Sequence, residues 1–158
     1  MTATAIANSN INLTSISPER LTQATGGVLP PKSLVVIHAI LLGGSFVILF
    51  PLATMALRFE WAHGFRAHWI TQCIGTVASF IGFFIAIAMS VQSRLFSSFD
   101  TAHQIIGIIL TCCLLLQVFF GWRHHVIFKA IRSRTTISYA HIMFGRLLIY
   151  IGMVNAVL

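Results

Sequence analysis

Four long apolar stretches constrain this chain more than anything else in it. They run from about Ser33 to Leu57, Ala67 to Val91, Thr101 to Trp122 and Tyr139 to the C-terminus. A helix of about 20 residues spans the roughly 30 Å hydrocarbon core of a bilayer. Backbone placed there must satisfy its hydrogen bonds internally, so stretches of this length predict membrane helices. The connections are short and polar: 58–66, 92–100 and 123–138. Short connections make sequential helices antiparallel neighbours. The predicted fold is an all-α membrane protein, an antiparallel four-helix transmembrane bundle over residues 34–158. Pro51 should kink the first helix. The fourth stretch reaches Leu158 without a polar cap, which leaves a further C-terminal helix open.

Composition agrees. Hydrophobic residues make up 57% of the 158-residue chain and charged residues 8%, against about 25% charged in a soluble domain. The net charge of +7 would suit nucleic acid, but the basic residues flank the apolar stretches, and orientation explains them better. Arg58, Arg66, Arg123, Lys129, Arg132 and Arg134 fall in the first and third loops; Arg20, Lys32 and Arg94 fall on the other face. That asymmetry predicts cytoplasmic first and third loops and extracytoplasmic termini. Residues 1–33 read as a disordered polar tail closed by Pro30 and Pro31, without the apolar core of a secretory signal. The tail carries a glycosylation sequon, Asn12-Leu13-Thr14. Cys73, Cys112 and Cys113 show no metal spacing and read as small buried hydrophobes. Gly64, in the first loop, is expected to be exposed.

Each apolar stretch carries one histidine near its start: His38, His68, His103 and His141. In an alternating bundle His38 and His103 share one membrane face, and His68 and His141 share the other. Histidine inside a membrane helix is costly and usually functional. Two pairs of neutral imidazoles at opposite faces suit two bis-histidine haems, whose closed coordination favours electron cycling over oxygen binding. Zinc would need three or four ligands together, and the two pairs lie about 20 Å apart along the helices.

The residues sharing each histidine's helix face are small or polar. Helix two reads His68, Gln72, Gly75, Ser79, Gly82, Ala86. Helix three reads His103, Gly107, Leu110, Leu114, Gln117, Gly121. Helix four reads His141, Gly145, Leu148, Gly152, Asn155, and helix one, less regular, His38, Leu42, Ser45, Leu49. Gly107 and Gly145, one turn from a ligand, would leave room for a flat porphyrin. Gly82, Gly121 and Gly152 would flank the haem held by the other two helices. Close helix packing is the competing explanation for such glycines. Arg146, one turn beyond His141, is expected to be buried, facing a haem propionate or snorkelling to the interface. His63, His124 and His125 fall in loops or at a helix end, with His124 near the haem of the cytoplasmic face.

The segments HAILLGGSFVILFPLA, AHWITQCIG, HQIIGIILTCCLLLQVFFGWRHHVIFK and SYAHIMFGRLLIYIGMVN resemble the cytochrome b561 family, especially the fungal membrane domains often fused to an extracellular DOMON module. The resemblance implies two haem b groups, ligated by His38 with His103 and by His68 with His141, and transmembrane electron transfer. The expected partners are membrane lipid, a small redox donor and acceptor, and an extracytoplasmic redox protein, with no nucleic acid. Arg58, Arg66, Arg123 and Lys129 could attract an anionic donor such as ascorbate. The acceptor could be ferric iron, monodehydroascorbate or a protein. Two other classes stay open: a haem-free tetraspan scaffold, and a small transporter using the histidines as a proton relay.

Overall fold

The computed structural model describes residues 30–59, 63–92 and 99–158. Four helices are each long and apolar enough to cross a membrane: α1 (Lys32–Ala56), α2 (Gly64–Gln92), α3 (Ala102–Ile131) and α4 (Thr136–Asn155). Their contacts form a closed ring, α1 to α2 to α3 to α4 and back to α1. The strongest are within the sequential pairs α1–α2 and α3–α4, while the diagonals α1–α3 and α2–α4 barely touch. Large apolar side chains face outwards all round the bundle, Ile40 at 66% exposure and Phe84 at 64% among them. In water such a surface would be untenable; against lipid tails it is the expected exterior. The tail with its sequon, together with Arg20, Glu60 and Arg94, lies outside the described residues.

The helix-one stripe expected from a regular 3.6-residue period does not hold. Residues Gly44–Leu49 form a π-helical turn, and the Phe50 N–H bonds to the Ser45 carbonyl, five residues back. The wide turn inserts one residue, so the inward face passes from Ser45 and Phe46 to Phe50, Ala53 and Ala56, and Leu49 is displaced from it. Pro51 explains why the distortion sits here, since it lacks the N–H a regular turn would use. Ser45, fully buried, returns its hydroxyl to the Leu41 carbonyl at 2.6 Å.

Helix α3 runs nine residues past the expected boundary at Trp122, to Ile131, and ends on Arg132 in the left-handed conformation (φ 54°). The segment read as a loop is therefore mostly helix, carrying His124 and His125 into the bundle. Capping fixes the starts of α3 and α4. Thr101 and Gln104 form a capping box, and the Thr135 N–H donates to Ser138 Oγ at 3.0 Å, holding His103 and His141 near their helix starts.

Three further expectations are corrected. Gly64 is buried, and a Cβ there would lie 2.6 Å from the Ala56 carbonyl oxygen; the α1–α2 connection is too tight for a side chain. Cys73 and Cys112 are exposed and Cys113 only half-buried, because apolar residues in a membrane bundle satisfy themselves equally well against lipid. Arg146 is exposed; five residues beyond His141, it is turned about 140° away from that histidine's face.

The core is small, built on Phe46, Phe50 and Leu114, with the two phenylalanine rings edge to face at 5.1 Å. Glycines seat these rings. Gly152 of α4 lies directly against the Phe46 ring, and a Cβ at Gly75 of α2 would come 2.6 Å from Phe50. Gly152→Leu is expected to lower stability by about 1–3 kcal/mol or more, as overpacking does. Gly43→Ala, with open space around it, should be neutral or stabilise by up to about 1 kcal/mol through helix propensity. Thermal unfolding in detergent checks both; equal effects would deny Gly152 its packing role.

Candidate functional site

The four histidines stand on diagonal helices. His38 of α1 and His103 of α3 face one another at one end of the bundle, with ring centroids 6.1 Å apart and planes at 73°. Since α1 and α3 barely touch elsewhere, these imidazoles meet across the bundle axis. At the other end stand His68, near the start of α2, and His141, near the start of α4. The structure sets His38 and His103 in ring contact; His68 and His141 share the other end without a ring contact of that kind between them.

Three of the rings are fixed by a neighbouring backbone. Nδ1–H of His38 donates to the Gly82 carbonyl at 2.9 Å, that of His68 to Ala53 at 2.8 Å, and that of His103 to Asn155 at 2.9 Å. A carbonyl can only accept, so each bond places a proton on Nδ1; in the neutral ring the lone pair is then on Nε2. Two of the acceptors, Ala53 and Asn155, belong to the last turns of α1 and α4, where carbonyls have no helical partner. Helix ends therefore anchor His68 and His103, while His38 is anchored by Gly82, inside α2.

The His141 ring also faces a neighbouring backbone, at Gln117 of α3. The same ring stacks on His124 at 6.0 Å and 17°, and His124 Nδ1 lies 2.8 Å from Ser138 Oγ. Gly121 admits the ring: a Cβ there would lie 2.9 Å from His141 Cε1. Gln117 donates its amide Nε2–H to the His141 carbonyl at 2.9 Å. The amide occupies the space beside Gly145, which has no side chain to block it. Gly107 is looser, with Asn155 Nδ2 in ordinary contact at 3.6 Å. Gly82 receives Leu41 and Leu42 of α1, so with Gly75 and Gly152 it serves close helix approach. His125 stacks on Phe65 at 4.9 Å and His63 lies in the exposed α1–α2 turn; neither joins a pair.

Among the described residues, no group of three or more His, Cys, Asp or Glu side chains is placed to hold a metal ion. The donors come in twos. Among the described residues, four buried polar atoms lack a hydrogen bond of good geometry: Ser79 Oγ, Gln117 Oε1, His141 Nδ1 and Asn155 Oδ1. All four belong to stripe residues of the histidine faces. A lipid-embedded bundle lined inside by polar atoms and by imidazoles on all four helices has the make-up of an integral membrane cytochrome. The model of the eukaryotic cytochrome b561 family matches residues 33–158, and the chain belongs to that family. No curated relative and no solved structure matches it. As a member of the family it is an integral membrane protein of transmembrane electron transfer that binds haem b.

The residues present fit that cofactor. An iron taking one nitrogen from each ring at the roughly 2 Å of an imidazole–metal bond needs ring centroids about 6 Å apart, as His38 and His103 have. Backbone anchoring of Nδ1 supplies the orientation that ligating histidines need.

Reasoning from sequence missed Asn155, Ala53 and Gly82 as anchors, because they act through backbone carbonyls that carry no residue signature. It also missed the Ser138–His124 contact, although the capping pattern beginning at Thr135 was a legible marker.

Proposed function

We propose that the protein holds two haem b groups, one between His38 and His103 and one between His68 and His141. It carries electrons from a cytoplasmic donor, ascorbate being a candidate, to an extracytoplasmic acceptor such as ferric iron, monodehydroascorbate or a redox protein. The N-terminus is extracytoplasmic in this reading. The observation that carries it is the His38–His103 pair: two rings at 6.1 Å across the bundle axis, each with its Nδ1 proton already committed. Bound haem b supplies a one-electron centre whose iron, closed by two imidazoles, offers no open position. The chain's own work is to fix the four rings, hold the Nδ1 proton of His38, His68 and His103 on a backbone carbonyl and exclude water. Gly107 leaves room one turn from His103; beside Gly145 that room holds the Gln117 amide. Basic side chains Arg58, Arg66, Arg123 and Lys129 concentrate an anionic donor near the His68–His141 end.

Haem quantification with a dithionite-reduced spectrum tests the reading. The purified protein is expected to show low-spin b-type bands and two haems per chain. A folded bundle that takes up no haem on reconstitution would return the histidines to interhelical bonding and the protein to a scaffold role.

A further inference from the structure

Helices α3 and α4 grip one another through two reciprocal contacts. Ser138 and His141, three residues apart on α4, share a face. Ser138 is buried at 1% exposure. Its hydroxyl accepts the Thr135 N–H at 3.0 Å and bonds to His124 Nδ1 at 2.8 Å. The His124 ring so held lies nearly parallel to the His141 ring, with centroids 6.0 Å apart and planes at 17°. Gly121 and His124, also three residues apart, share a face of α3. Gly121 leaves the gap that receives the His141 ring, since a Cβ there would lie 2.9 Å from its Cε1. His124 is thus held by two residues of α4, and His141 rests between a gap and a ring of α3.

We propose that His124 is a positioning residue of the His68–His141 site: tethered by Ser138, its ring sets the plane of the His141 imidazole. The inference rests on the functional reading above. The Gln117 backbone faces the His141 ring, but a single contact with a carbonyl leaves a ring free to turn about the line joining them. A flat ring along one face of His141, with the Gly121 backbone against its Cε1 edge, limits that turn. His124 can do this only if its own ring is fixed. Ser138 fixes it from the helix that carries His141, so ligand and support move together. Orientation by an outer partner is what a ligating histidine requires.

Low-spin EPR of the ferric holoprotein in detergent provides the test, because the signal of a bis-imidazole haem follows the angle between its two ring planes. His38→Ala and His141→Ala assign the two signals. His124→Ala and Ser138→Ala should each shift or broaden the His68–His141 signal and leave that of His38–His103 in place, which also reports a folded bundle. His124→Phe keeps a flat ring without the bond to Ser138, and should fall between His124→Ala and the wild type. Haem transfer to excess apomyoglobin is a second readout. Release from the His68–His141 site should quicken about tenfold in His124→Ala, the lower end of what an outer partner contributes to metal affinity. An unchanged His68–His141 signal in His124→Ala or in Ser138→Ala would overturn the proposal, as would a His124→Phe protein no different from His124→Ala. If His124→Ala loses both haems, Ser138→Ala decides alone. Two haems in the wild type with unaltered variants would sink this inference alone. A folded wild type that takes up no haem would sink the functional reading, and this one with it.

Discussion

His38→Ala and His103→Ala are expected to abolish the same haem, and His68→Ala and His141→Ala the other. Each single variant should keep one low-spin component and lose one, for a fall from two haems per chain to one. The expectation follows from the diagonal arrangement. His38 and His103 stand on helices that barely touch, yet their rings are 6.1 Å apart. No other histidine stands ready to replace either. At the opposite end His124 lies against His141, but its Nδ1 faces Ser138 and it belongs to α3, not to the helix diagonal to α2. Optical spectra and EPR of the four variants decide the matter. If His38→Ala and His68→Ala removed the same component, the assignment of ligands to diagonals would be wrong.

Transmembrane electron transfer is expected to fall to the background leak when either haem is missing. Sealed vesicles of known orientation, with ascorbate on one side and ferricyanide on the other, supply the measurement. Wild-type protein should reduce the trapped oxidant, and His38→Ala should not, once loss of its haem is confirmed. The basic residues Arg123, Lys129, Arg132 and Arg134 cluster where α3 meets α4, and the usual charge rule is the ground on which that end is proposed to be cytoplasmic. Transfer that persists in His38→Ala would refute a path needing both sites. Protease mapping that found Lys129 outside would reverse the direction and leave the path intact.

Much of this architecture was legible in the residues. The number of helices and their alternation follow from the length and polarity of the stretches, and the face each histidine occupies follows from alternation. Local backbone irregularity was harder to see. Nothing in GGSFVILFP announces where the extra residue of a π turn will be absorbed, so the inward face of α1 was placed one residue early, at Leu49 instead of Phe50. The end of α3 was misjudged because hydropathy falls at Arg123 while the helix continues to Ile131. Polarity marks where a helix leaves the bilayer, not where it stops. Arg146 was read as buried from its distance in sequence to His141, although an offset of five residues turns a side chain well away. Anchoring carbonyls were invisible for a plainer reason: every residue has one.

The bundle's contacts divide it into two halves, the α1–α2 pair and the α3–α4 pair, with much less between them. Each proposed ligand pair draws one histidine from each half. If the proposed pairs hold iron, each would act as a rivet across a seam that protein packing closes less firmly than it closes either half. Two membrane hairpins can insert independently and associate afterwards, and a ligand that binds only the joined form stabilises it by about 4 kcal/mol at a thousand times its Kd. Supply of the cofactor would then govern not only how many molecules are active but how many persist, because a chain starved of it remains two loosely associated hairpins.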